Sequence, residues 1–234
     1  MMFVLSSFWS KCYKSLSVLV LISLLLLSAC SMQSVQLPRE EQALHRIESI
    51  VVFWFRPFLS RGQEPRMVRS PLSGAIFKAE PVPEKAAIDL TGELFSELLN
   101  SRKCRLIPPG QAKGVFSNLL SSGAAASDIE LFQEIGLAFS SDTILAGYVY
   151  RWKERVGTEY AIELPASVAF DLYLIRTKDR KIIWKARFDK TQRSLSENLF
   201  DLGTFVKSRG RWMSAKELAM VGLPQMLKTL PKKY

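Results

Sequence analysis

Apolar positions recur along this chain with two periods, and the alternation between them outlines an α/β fold. From Ile47 to Phe55 nearly every residue is apolar, as in a strand covered on both faces. Between Glu84 and Ser101 the spacing changes. Ala87, Leu90, Leu94 and Leu98 make one helical stripe, with Phe95 and Leu99 beside it. Cys104 to Ile107 reads as a short strand stopped by Pro108-Pro109-Gly110, and Gln111 to Leu120 as a short helix. Ser127-Asp128-Ile129-Glu130 has the form of a capping box, in which the Ser hydroxyl and Glu carboxylate satisfy free amides at a helix start. Ile129, Phe132, Gly136 and Phe139 then form the buried stripe.

Strand periodicity dominates the second half. Asp142 to Trp152 is one strand. Ala166 to Arg176 is another, with Val168, Phe170, Leu172 and Leu174 on one face. After a turn at residues 177–180, Lys181 to Asp189 returns with Ile182, Trp184, Ala186 and Phe188 inward and Lys185, Arg187 and Asp189 outward, an antiparallel hairpin. Two further capping-box patterns follow, Ser194-x-x-Glu197 and Ser214-x-x-Glu217. The second opens a C-terminal helix, which Gly222 and Pro224 are expected to divide. Residues 56–83 hold five prolines (Pro57, Pro65, Pro71, Pro81, Pro83) and read as a structureless loop, working or mobile, long for a compact domain. The order β-α-β-α-α-β-β-β-α predicts a single-domain layered α/β sandwich with a mixed sheet whose later strands form a meander.

Ahead of this domain lies a different pattern. Residues 1–14 carry Lys11 and Lys14 and no acid, residues 16–27 are an apolar run, and Leu27-Ser28-Ala29-Cys30 closes it. This is the layout of a signal peptide, and the run is shorter than the ~20 residues that span a bilayer. A Cys after Leu-Ser-Ala resembles the bacterial lipobox, which implies a diacylglycerol thioether on Cys30 and cleavage before it. The expected division is a signal peptide over residues 1–29, a lipidated tether over 30–46 and a globular domain over 47–234. Ser31 in place of Asp implies, by the sorting rule of enteric bacteria, the periplasmic face of the outer membrane, with the inner membrane the alternative. A random chain of about fifteen residues has a root-mean-square span of about 20 Å, so the domain is expected to stay close to its membrane.

Charge and cysteine content narrow the partners. The net charge is +10, which favours anionic neighbours. For an exported chain these are lipid headgroups or cell-wall polymers; export argues against nucleic acid. Of three cysteines, Cys12 lies in the signal peptide and Cys30 takes the lipid. Cys104 is left as a small core residue, without an intramolecular disulfide.

Two stretches carry a family resemblance. Ser49 to Phe58 (SIVVFWFRPF) looks like the opening strand and "PF" turn of the periplasmic lipoproteins related to the TolB N-terminal domain, the penicillin-binding-protein activator LpoB and the curli secretion lipoprotein CsgG. Gly136-x₅-Asp142-Thr-Ile-Leu-Ala-Gly-Tyr-Val149 resembles that group's "G…AD-x-hydrophobic-x-G" strand, and Pro165 to Leu199 is similar to further bacterial lipoproteins of this build. The resemblance spans roughly residues 47–230. It implies an anticodon-binding-like sandwich and interaction roles such as scaffolding, secretion or activation of wall enzymes, with no catalytic residues to transfer.

Candidate chemistry is sparse. The single histidine, His45, lies in the tether, so no Ser-His-Asp or Cys-His site and no zinc site of the usual ligands is expected in the core. No Gly-rich phosphate loop with its Lys-Ser/Thr appears, and no cofactor is expected. Asp171 and Asp189 sit on adjoining strands, each opposite its strand's apolar set; they read as solvent-facing residues balancing Lys185 and Arg187, and less readily as a hydrolase pair. Lys207, Arg209, Arg211 and Trp212, with Lys216 just inside the last helix, form a candidate patch for an anionic partner. The expected function is a lipid-anchored envelope protein with a non-enzymatic docking or scaffold role beside the membrane, held by Cys30 and meeting an envelope protein. The alternatives are an auxiliary lipoprotein of lipid or solute transport or secretion, and a carboxylate-based wall hydrolase.

Overall fold

The structure is a computed structural model that describes residues 45–123, 127–193 and 211–233. The signal peptide, Cys30, nearly all of the tether and the Ser194 capping pattern lie outside the described residues.

Its centre is a five-stranded mixed sheet of order β4-β1-β5-β8-β9. β1 (Ser49–Pro57) runs parallel to both β4 (Arg105–Ile107) and β5 (Thr143–Lys153). β5, β8 (Ser167–Arg176) and β9 (Ile182–Thr191) form the antiparallel meander. The helices among the described residues are α1 (Glu84–Ser101), α2 (Pro109–Ser122), α3 (Asp128–Ala138) and α4 (Ala215–Lys228). The α/β class, the element order and the mixed sheet stand as the periodicity predicts.

Two apolar layers cover the sheet. On one face, Ile50, Val52, Leu145, Val149, Phe170 and Leu172 pack against the stripes of α1 and α4. On the other, Val51, Phe53, Ile144, Tyr150 and Tyr173 meet α2, α3 and Phe77. This two-sided burial is why β1 reads as an unbroken apolar run.

The hairpin β2 (Arg66–Arg69) and β3 (Ile76–Ala79) corrects the expectation for residues 56–83. The segment is not structureless. None of its prolines falls within the two strands: Pro71 lies in the turn between them and the others lie outside the hairpin. Leu59, Phe77 and Ala79 dip into the second core, and Phe77 stacks on Tyr150 with ring centroids 3.8 Å apart. A second small hairpin joins β6 (Val156–Gly157) to β7 (Ile162–Leu164).

Three local details depart from the periodicity. α4 is continuous through Gly222 and Pro224. Gly222 is there for packing: a Cβ on it would lie 2.3 Å from the Phe188 ring of β9. Ile182 turns to the second core instead of joining Trp184, Ala186 and Phe188, because an extra residue interrupts the β8–β9 register between Leu174 and Ile175. Leu99, expected beside the α1 stripe, is exposed. A bulge in β1 between Val52 and Phe55 frees the Phe55 amide, which donates at 2.9 Å to the buried Thr91 hydroxyl of α1. Capping behaves as the sequence suggests: Ser214 and Glu217 close both halves of their box, and the Ser127 hydroxyl accepts from the Glu130 amide.

Candidate functional site

Of the predicted site residues, Cys30, Lys207 and Arg209 lie outside the described residues. Arg211 and Trp212 lie just before α4, against the β6–β7 turn. The Arg211 guanidinium bridges Glu159 at 3.0 Å and Glu217 at 2.6 Å. Half-buried Trp212 donates its amide to the Glu159 carbonyl and accepts from Arg155 on its own. Lys216 turns the other way, toward α1, and meets Glu93 at 3.1 Å. The structure thus brings Arg211 and Trp212 together, sets Lys216 apart, and gives each of these two cations a carboxylate. Glu217 is held below its usual pKa: burial alone would raise it, but the Ser214 amide and Arg211 outweigh that.

The aspartates behave differently from their sequence reading. Asp171 is not solvent-facing; it is 2% exposed, on the second core face and under the β2–β3 hairpin. Its Oδ2 accepts from Ser70 at 3.0 Å, from Tyr150 at 2.9 Å and from Tyr173. Ser73 Oγ, also from the turn of that hairpin, lies 2.7 Å from the Tyr173 hydroxyl. Oδ1 is buried with no hydrogen-bond partner. Burial pushes the Asp171 carboxyl up to about 6, and the three hydroxyl donors only partly oppose it. Tyr150 and Tyr173 are likewise pushed up, first by burial and then by the neighbouring carboxylate. A signal for this face was present in β8. Its off-stripe positions are Ala169, Asp171, Tyr173 and Ile175, three of them apolar or aromatic.

Asp189 is clamped. Arg151, itself almost fully buried, reaches it at 2.5 Å, and Arg187 at 2.8 Å. Burial tends to raise the Asp189 pKa, but the two guanidiniums hold it below the usual carboxylate range. One carboxyl is therefore sealed among hydroxyls and the other neutralised by two arginines. Neither is presented to a substrate, so the hydrolase reading has no support from the geometry. Among the described residues no cluster of three or more His, Cys, Asp or Glu side chains is placed to hold a metal.

A different grouping forms where the chain enters the domain. Ile47 donates its amide to the Lys232 carbonyl at 3.1 Å, and Arg46 bridges Lys233. Arg102, just past the end of α1, donates to the carbonyls of Leu227, Leu230 and Pro231, which closes the end of α4. Burial lowers the Arg102 pKa. Arg105 does the same for α3, donating to Phe139 and Ser140. Cations here suit the negative ends of the three helices. Arg46, Arg102, Lys103, Cys104 and Lys232 line one cleft. Cys104 is half-buried, packs against the first core, and is pushed up by that burial more than Arg102 and Arg46 pull it down. A second crevice, with mostly apolar walls, opens at the other end of the sheet. Trp54, Phe55 and Pro57 of β1, Ala87 and Ile88 of α1 and the first turn of α2 line it. This is the carboxyl end of the parallel strands, where α/β sheets commonly take ligands.

No protein-family model matches the chain, and no curated protein is significantly similar to it in sequence. Solved structures do resemble it. The PelC dodecamer from Paraburkholderia phytofirmans is similar at 13% identity and a TM-score of 0.42, over 79% of this chain and 89% of that one. The LpoB C-terminal domain from Salmonella enterica is similar at 14% identity and a TM-score of 0.39, over 64% and 87%. Lipoprotein GNA1162 from Neisseria meningitidis is similar at 13% and 0.39, over 69% and 94%.

Proposed function

We propose that this chain is a lipid-anchored protein of the bacterial envelope, with a non-enzymatic docking role beside the membrane that holds its lipid. The observation that carries the reading is Leu27-Ser28-Ala29-Cys30 at the end of a short apolar run, some fifteen residues before a domain pinned at Ile47. The sealed Asp171 and the clamped Asp189 support a non-enzymatic role, and Ser31 supports the outer membrane. Its partner is an envelope protein within reach of the tether. Among the described residues no helix is long and apolar enough to cross a membrane, and the attachment proposed is the lipid on Cys30. Envelope fractionation tests this. The chain should sediment with outer-membrane vesicles, and Cys30→Ser should remain unprocessed in the inner membrane. Release of the wild-type chain into the soluble periplasm overturns the reading.

One observation favours a second reading, an auxiliary transport lipoprotein that grips an apolar ligand. It is the Trp54 crevice between α1 and α2. Native mass spectrometry of the chain from membranes should then show a bound lipid or solute that Trp54→Ala releases. Identical spectra for the two sink it.

A further inference from the structure

We infer that the end of the domain where the chain enters, carrying Arg46, Lys103, Lys232 and Lys233, is the face that lies on the anionic headgroups of the anchoring membrane. The inference rests on the lipid anchor proposed above and adds which side of the domain meets the bilayer.

Several independent features place these groups together. The tether joins the fold at Arg46, and the strand-like bridge from Arg46 to Lys233 sets the C-terminal residues beside it. Lys103 and Lys232 line the same cleft as Arg46. All four side chains are exposed. Elsewhere the domain neutralises many of its cations: Arg56, Arg151, Arg187, Arg211 and Lys216 each sit within 4 Å of a carboxylate. Among the described residues, none of the four at this end does. Arg102 and Arg105 are occupied in closing helices, so they add charge to the face without being free to reach a ligand. Among the described residues, two acids lie nearby. Asp142 is committed to the amides of Glu48 and Ser49, and Glu48 is exposed. The balance at this end stays positive.

The partner follows from position. A charged face anywhere on the domain could attract an anion. This one surrounds the point from which the anchor departs, and a random chain of about fifteen residues has a root-mean-square span of about 20 Å, which keeps this end the nearest to the bilayer on average. Tethering supplies an effective concentration near the millimolar range, so a weak attraction is enough. Each Lys or Arg near an anionic surface contributes about a fivefold factor, which falls off within about 8 Å at physiological salt. Four such side chains ringing the tether favour the state in which this end rests on the headgroups. The Trp54 crevice and α2, at the opposite end of the parallel strands, then point into the periplasm.

Lysine footprinting of the full lipidated chain tests the assignment. The protein is reconstituted into vesicles of phosphatidylcholine alone and into vesicles containing phosphatidylglycerol. An amine-reactive reagent is applied, and modification of each lysine is read by mass spectrometry. Lys103, Lys232 and Lys233 should be modified several-fold more slowly in the anionic vesicles at low salt, and Lys113, on α2, equally in both. High salt should abolish the difference. For the variant combining Lys103→Glu, Lys232→Glu and Lys233→Glu, the ratio of docked to undocked domain should fall at least about 100-fold, counting only the three lost cations at about fivefold each. Lys228, exposed at the end of α4 that Arg102 closes, supplies its readout, and Lys113→Glu should behave as wild type. The intact mass of the same preparation reports the lipid. A lipidated chain labelled alike in both vesicles overturns this inference alone. A chain with unmodified Cys30 overturns the anchoring and this inference with it.

Discussion

Replacing Asp171 by Asn should flatten a pH dependence of stability that runs opposite to that of carboxylates held by a cationic or amide partner. The group titrates from 3.8 when exposed to about 6 in the fold. Between these values the folded chain holds a proton that the unfolded chain has released. Stability is therefore full below about pH 4 and falls as pH rises toward 6, by about 1.4 kcal/mol per unit and about 3 kcal/mol in all. The carboxylates held low by partners, Asp189, Asp179 and Glu217, act in the other direction, contributing stability that is lost as pH falls, and they are common to both proteins. In Asn, one oxygen can still accept from Ser70, Tyr150 and Tyr173, so the hairpin stays docked while the titration disappears. Urea unfolding of both proteins from pH 4.5 to 7.5 separates the cases. The wild type should lose about 2 kcal/mol relative to Asp171→Asn across this range. Parallel curves would refute the claim that this carboxyl is buried and protonated at the lower end of the range.

Other substitutions test the packing that positions the two sheet ends. Gly222→Ala should destabilise by about 1–3 kcal/mol despite its better helix propensity, because the new methyl meets the Phe188 ring; thermal unfolding reads the sign. Thr91→Val leaves the buried Phe55 amide without its acceptor and should cost about 1–3 kcal/mol in chemical denaturation. Asp189→Ala strands the buried Arg151 guanidinium with only Ser167 and the Lys78 carbonyl. It should cost about 3 kcal/mol or more, and a loss under 1 kcal/mol would mean that Arg187 and water already screen the pair.

The fold was largely legible in the sequence because its strong signals are local. The main α1 stripe, the Ser127 cap, the Ser214 capping box and the pairing of β8 with β9 each depend on residues close in sequence, and each appears, apart from the departures at Leu99, Ile182 and Asp171. What escaped depends on contacts far apart in sequence. Nothing within residues 56–83 announces that Phe77 will stack on Tyr150, or that Ser70 will meet Asp171, 101 positions away. The same long-range closure turned Asp171 from an apparent surface residue into a sealed one. Pro224 and Gly222 signal a break when read along the helix, and only the Phe188 ring explains the glycine. The basic entry end was invisible for a related reason: Arg46, Lys103 and Lys232 are scattered along the chain and converge only where β1, α1 and the C-terminal residues meet.

The central claim is that Cys30 carries the lipid that holds this domain at its membrane. The intact mass of the chain, extracted in detergent from a bacterium that expresses it in full, tests this directly. Loss of residues 1–29 together with the added mass of a diacylglycerol thioether on an N-terminal Cys30 is the predicted result. A chain that keeps its first 29 residues, or one that begins at Cys30 with the cysteine unmodified, would contradict it.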